Sequence, residues 1–244
     1  MAIFHLYAGI FGTLPSLKQV SIHLGFAMVL VFLIFPFKKD SVKSKSLSWY
    51  DYLFALAALI TSIYITINYE WIAFTRFRFV TPIKPIEHIF GILLIILVLE
   101  AARRTIGLFL TIVAGFFILY TFIGPILPGA LKHPGITLNN FIDLQYLGDG
   151  GIYGTPLMIS ATYIVLFIIF GAVMLETGFG EFIIDVAIGL TGKTRGGPAK
   201  VAVISSAGFG MISGAGSANV AVTGTFTIPL MKKVGFKPVS YTHL

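Results

Sequence analysis

An all-α, polytopic transmembrane protein with a re-entrant helical hairpin near its C-terminus is the fold class this sequence predicts, on three observations. Of its 244 residues, 57% are hydrophobic and 11% charged, and the mean hydropathy is +0.93. A water-soluble fold of this size has too little interior to hide so much apolar surface. Apolar stretches of nearly bilayer-spanning length recur along the chain. Near the C-terminal end, a stretch flanked by bases on both sides is crowded with Gly, Ser, Ala and Thr, a texture that a plain span does not need.

The elements follow in order. Residues 2–11 are apolar but too short to cross, and they lack the basic start and cleavage site of a signal peptide, so they read as the tail of a truncated helix. Five spans follow, at residues 21–37, 50–68, 87–102, 105–123 and 156–176. Each approaches the roughly 20 residues that a helix needs to cross hydrocarbon. They are apolar all round, without the period-two alternation of a barrel strand, which selects helices. Lys38, Lys39, Lys43 and Lys45 place the loop after the first full span in the cytoplasm. Counting onward puts residues 69–86 outside, Arg103 and Arg104 inside, and residues 124–155 outside. Arg76, Arg78 and Lys84 dissent, standing in the outer loop beside Trp71, Phe74 and Phe77 as an interfacial segment does. Residues 177–190 mix acids and Gly with apolar side chains, as in a short surface helix leading to the basic turn at 192–198. Residues 199–231 then run to Lys232, Lys233 and Lys237. With both basic flanks in the cytoplasm, this segment must enter the membrane and return.

The net charge of +7 would point to nucleic acid in a soluble protein. Here the bases lie in short clusters between apolar runs, so they act as topology signals and no nucleic-acid partner is expected. Zero Cys excludes a disulfide framework, a thiolate nucleophile and a Cys-based zinc site.

The chemistry concentrates in residues 209–229. Gly214 and Gly216 are poor helix formers, so the helix is expected to break there. A break inside the bilayer frees backbone groups that lipid cannot satisfy, and irregular backbone is tolerated only where it is buried or lines a cavity. Freed carbonyls can ligate a cation, and the helix that opens after the break presents N–H groups to an anion. Ser213, Ser217, Asn219, Thr223 and Thr225 add oxygens suited to a small hard ion such as Na+. The alternative is that small residues, such as Gly210 and Gly214 at i, i+4 spacing, merely let helices pack closely. Asn219 weighs toward a site, because an amide in hydrocarbon needs partners.

Four blocks carry a resemblance: Leu99-Glu-Ala-Ala-Arg-Arg104, Thr191-Gly-Lys-Thr-Arg-Gly-Gly-Pro-Ala-Lys-Val201, Gly210-Met-Ile-Ser-Gly214, and Ala218-Asn-Val-Ala-Val-Thr-Gly-Thr-Phe-Thr-Ile-Pro-Leu-Met-Lys-Lys-Val-Gly-Phe-Lys-Pro238. With them the chain resembles the membrane component of tripartite ATP-independent periplasmic (TRAP) transporters, in the form that fuses small and large membrane subunits. The resemblance implies a small-subunit-like part at residues 1–104, the start of a large-subunit transport region at 105–238, and a gate-like hairpin at about 199–231. It implies a permease of the bacterial inner membrane that takes up an organic acid anion with Na+ as coupling ion, the anion being delivered by a periplasmic solute-binding protein. Gly214, Asn219, Thr223 and Gly224 fall on the hairpin-tip positions that such a transporter uses for ion and substrate. This sequence has Ala215 and Ser217 where the family often shows Ser first and an aliphatic residue later. Residues 239–244 match none of the pattern and read as a non-native tail on the N-terminal part of a longer chain.

Other residues read as structural. Glu100, Arg103 and Arg104, at i, i+3 and i, i+4 spacing, are expected to snorkel at the cytoplasmic interface, with anchoring of the small part to the large one as the alternative. Glu176 and Asp185 read as solvated helix ends, and His5, His23, His88, His133 and His243 show no metal spacing. No nucleophile, base and orienter combination and no phosphate-cradling loop occurs, so an enzyme is not expected. The competing function is a helical scaffold or anchor subunit without a solute site.

Overall fold

The computed structural model describes residues 1–37, 47–213 and 216–237. Among these, every regular element is helical. The helices are α1 (Ala2–Phe11), α2 (Ser16–Ile34), α3 (Trp49–Ile67), α4 (Pro85–Thr105), α5 (Leu108–Ile123), α6 (Leu138–Gln145), α7 (Thr155–Ile159), α8 (Val165–Glu176), α9 (Phe179–Thr191), α10 (Gly197–Ser213) and α11 (Gly216–Lys233). Five helical stretches are long and apolar enough to cross a bilayer: Ser16–Ile34, Trp49–Ile67, Pro85–Thr105, Leu108–Ile126 and Thr155–Met174. The chain is a multi-pass, all-α membrane protein, and the spans fall where hydropathy places them, with ends shifted by a few residues.

Helix ends follow local chemistry. The Asp51 carboxylate in the first turn of α3 accepts the Ser48 N–H at 3.1 Å. Glu87 does the same for the Lys84 N–H at 2.8 Å, and Pro85 opens α4 where no N–H is missed. Gly107, at φ +110°, turns the chain between α4 and α5, a conformation that side chains resist.

The chain divides into two compact units, Ile3–Thr162 and Tyr163–Leu244. In the first, α2 packs along α3, and α4 packs on α2, α3, α5 and α6. Its core is built by Val20, Leu24, Met28 and Phe32 on one stripe of α2, meeting Ala58 and Ile65 of α3 and Leu94 and Leu97 of α4. Small residues set the approach: a Cβ on Gly25 would lie 2.9 Å from the Ser62 Cβ, and one on Gly91 would lie 2.7 Å from Ile142. Helix α5 buries none of its residues and presents Phe109, Phe116 and Phe117 outward, as a lipid-facing span does. The span that begins with α7 passes through a π-helical stretch, Ser160–Ile164, whose Ala161 carbonyl accepts the Gln19 side-chain amide at 3.3 Å. In the second unit, α10 packs on α8, α9 and α11.

Candidate functional site

Helix α10 runs to Ser213 and α11 begins at Gly216, and the predicted break at Gly214 lies outside the described residues. The two arms lie against each other, with Asn219 in the first turns of α11 facing Ser206 and Gly210 of α10. The chain therefore doubles back as a helical hairpin. At about 1.5 Å per residue the arms, of 17 and 18 residues, measure about 25 and 27 Å. Neither is among the five spanning helices.

Polar groups close the space between the arms. The Asn219 amide nitrogen donates to the Ser206 carbonyl and to the Ser206 hydroxyl, each at 2.9 Å. One turn on, the buried Thr223 hydroxyl donates to the Asn219 carbonyl at 2.8 Å and stands 3.5 Å from the Asn219 Oδ1. Thr227 repeats the back-bond to the Thr223 carbonyl at 2.8 Å. Pro229 lies inside α11 and has no N–H, so it cannot serve the Thr225 carbonyl.

Of the residues the sequence singles out, the structure brings Asn219 and Thr223 together on one stretch of α11. Among the described residues, a Cβ on Gly224 would meet Ile228 of its own helix at 3.5 Å, an ordinary contact. Gly214 lies outside the described residues. Ser213 and Gly216 end and begin helices, Ser217 and Thr225 lie within α11, and the side chains at these positions are outside the description. Ser206 and Gly210 are the partners that sequence reasoning missed as such. Their signal is weak: small residues on the arm facing Asn219, about one and two turns before Ser213.

Polar clusters also stand in the first unit. Arg76 forms a two-pronged ion pair with Asp143 at 2.7 and 2.5 Å, each side chain 2% exposed, and Asp143 also accepts the Phe79 N–H at 2.7 Å. Phe79 is held at φ +63° beside it. On the exposed rim, Arg78 meets Asp149 at 2.6 Å, and that hydrogen bond holds the Asp149 carboxyl below its ordinary range.

Arg104 corrects an expectation. Its side chain is 1% exposed instead of snorkelling, bound to Asp51 and Glu100 at 2.7 Å each and to the Phe35 carbonyl at 3.0 Å, among the rings of Phe32, Phe37 and Phe54. All of these partners precede residue 105, so the cluster ties α2, α3 and α4 together. Arg103, more exposed, pairs with Glu100 at 2.7 Å.

A further cluster is a chain of the buried His5 and His23 with the half-buried Ser160. The His5 Nδ1 must donate to the Met1 carbonyl at 2.9 Å, which leaves its Nε2 to accept from the His23 Nδ1 at 2.9 Å. The neutral His23 Nε2 then accepts from the Ser160 hydroxyl at 3.2 Å. The two rings satisfy each other where both are buried.

Residues 93–242, well over half of the chain, match the family model described as Tripartite ATP-independent periplasmic transporter, DctM component. The chain belongs to the DctM-component family of TRAP transporters. Two Haemophilus influenzae proteins named for the TRAP transporter large permeases are similar to it. One is 32% identical over 135 residues, 54% of this chain and 31% of that protein. The other is 34% identical over 95 residues, 38% and 23% of the two chains. The uncharacterized protein y4mL of Sinorhizobium fredii is 30% identical over 103 residues, 42% of this chain and 24% of its own. This TRAP component thus spans between about a quarter and a third of the length of the curated relatives it matches. No solved structure matches it. The family is one of transporter permeases, which is not an enzyme class.

Proposed function

We propose that this chain forms part of a TRAP-type permease of the bacterial inner membrane that takes up an organic acid anion with Na+, the anion being handed over by a periplasmic solute-binding protein. In this reading residues 1–104 act as the small-subunit-like part and 105–238 open the transport region. The hairpin of α10 and α11 dips into the bilayer from the cytoplasmic side, and its tip meets ion and substrate. Residues 239–244, expected as a non-native tail, lie outside the described residues. The observation that supports the reading best is the interruption of one helical direction by a reversal between α10 and α11, with an amide in the first turn of α11 turned between the two helices. Such an interruption leaves main-chain groups unpaired and is tolerated at membrane depth only beside a cavity or buried in protein.

Asn219→Ala in the complete transporter is expected to abolish Na+-dependent uptake at unchanged membrane abundance. Uptake at the unsubstituted level would remove Asn219 from the site. One observation favours a scaffold reading: both amide hydrogens of Asn219 are spent inside the hairpin. On that reading Asn219→Ala lowers abundance while uptake per molecule stays the same.

A further inference from the structure

The Asn219 amide has two ends with different chemistry, and the surroundings of each decide which way it points. Its nitrogen end meets two acceptors of one residue on the opposite arm, the Ser206 carbonyl and the Ser206 hydroxyl, each at 2.9 Å. A half-turn of the amide would set Oδ1 against that carbonyl, oxygen to oxygen, and would forfeit that hydrogen bond, with only the Ser206 hydroxyl able to turn and donate to it. The approach also needs room, because a Cβ on Gly210 would stand 3.3 Å from the Asn219 nitrogen, tighter than ordinary contact. The oxygen end is different. Among the described residues its partner is the Thr223 hydroxyl at 3.5 Å, and the single proton of that hydroxyl is directed at the Asn219 carbonyl, 2.8 Å away. Oδ1 therefore keeps lone pairs that no short hydrogen bond among the described residues uses, in the first turn of α11.

We infer that Ser206 is a positioning residue: by taking both amide hydrogens of Asn219 across the hairpin, with Gly210 leaving the space, it fixes Oδ1 as an acceptor presented to the coupling cation. This inference rests on the reading of the hairpin as a Na+ site. Ser206 itself does not reach the ion. It sets the orientation of a ligand, so its loss weakens cation binding while the transport step proceeds once the ion is bound. The two small residues of α10 thereby gain a role beyond close packing of the arms.

The test measures uptake by the complete transporter as a function of Na+ concentration, with abundance checked by surface labelling, for Ser206→Ala, Ser206→Thr and Asn219→Ala. Ser206→Ala keeps the carbonyl acceptor and loses the hydroxyl. It should raise the half-saturating Na+ concentration about fivefold, the factor that one net hydrogen bond supports, with maximal uptake little changed. Ser206→Thr, which keeps a hydroxyl, should stay near the unsubstituted value. Unchanged Na+ dependence in Ser206→Ala, alongside lost uptake in Asn219→Ala, overturns the positioning role and leaves the site standing. Full uptake by Asn219→Ala removes the site and the inference together. Should Ser206→Ala fail to reach the membrane, the decision passes to Gly210→Ala, whose methyl crowds the amide nitrogen. Stabilisation of the purified protein by NaCl over choline chloride is then the readout. A weakened Na+ response supports the inference, and an unaltered one overturns it.

Discussion

Arg76 shows how a single side chain can disobey a sequence rule for a physical reason. It is one of three bases in a loop assigned to the outer side, against the usual bias of Lys and Arg toward the cytoplasm. Its charge, however, is cancelled by Asp143, which takes both prongs of the guanidinium in a pair 2% exposed on each side. A buried ion pair adds little over an apolar pair of the same shape, yet removing one partner strands the other charge. Arg76→Ala or Asp143→Ala is therefore expected to cost about 3–5 kcal/mol, read from the denaturation midpoint in detergent. The double variant Arg76→Met with Asp143→Leu should lose less than either single change. Additive losses would show that the pair is not coupled. Arg104 makes the same point at the other end of the spans, since composition marks a basic helix end, whereas its partner Asp51 lies 53 residues away in sequence.

At the scale of elements, helices pressed together in lipid gain little from burying apolar surface, because hydrocarbon surrounds them in either state. Closeness of backbones matters instead, and α2 and α3 meet where Gly25 faces Ser62. Gly25→Ala would place a methyl 2.9 Å from the Ser62 Cβ, so one helix must shift. The expected loss is about 1–3 kcal/mol, as for other overpacked interiors. Ser62→Gly in the same chain should restore most of it, and a thermal midpoint in detergent measures both. A neutral Gly25→Ala would mean that the two helices slide apart freely. The spans were legible beforehand because hydropathy is a sum over neighbours in sequence. The π-helical stretch at Ser160 was not, for it takes partners such as Gln19 from a distant helix.

For the whole molecule, the decisive question is the side of the membrane on which the two ends of the α10–α11 hairpin lie. The chain has no native Cys, so single Cys residues at the exposed positions Thr194 and Val234 can be labelled with an impermeant maleimide. Both are expected to react in inverted vesicles and to be protected in intact cells. Labelling from opposite sides would turn the segment into a crossing and remove the re-entrant tip. What the sequence determined by itself is the solvent of this protein and the rough extent of the five spans found among the described residues. Both depend on properties that neighbouring residues share. Only the tertiary structure decided that Arg76 answers Asp143, that Arg104 is caged among phenylalanines, and that Ser206 holds the Asn219 amide. A pairing depends on which faces of which helices come together, and that is settled by the packing of the whole chain, about which a local run of residues carries no information.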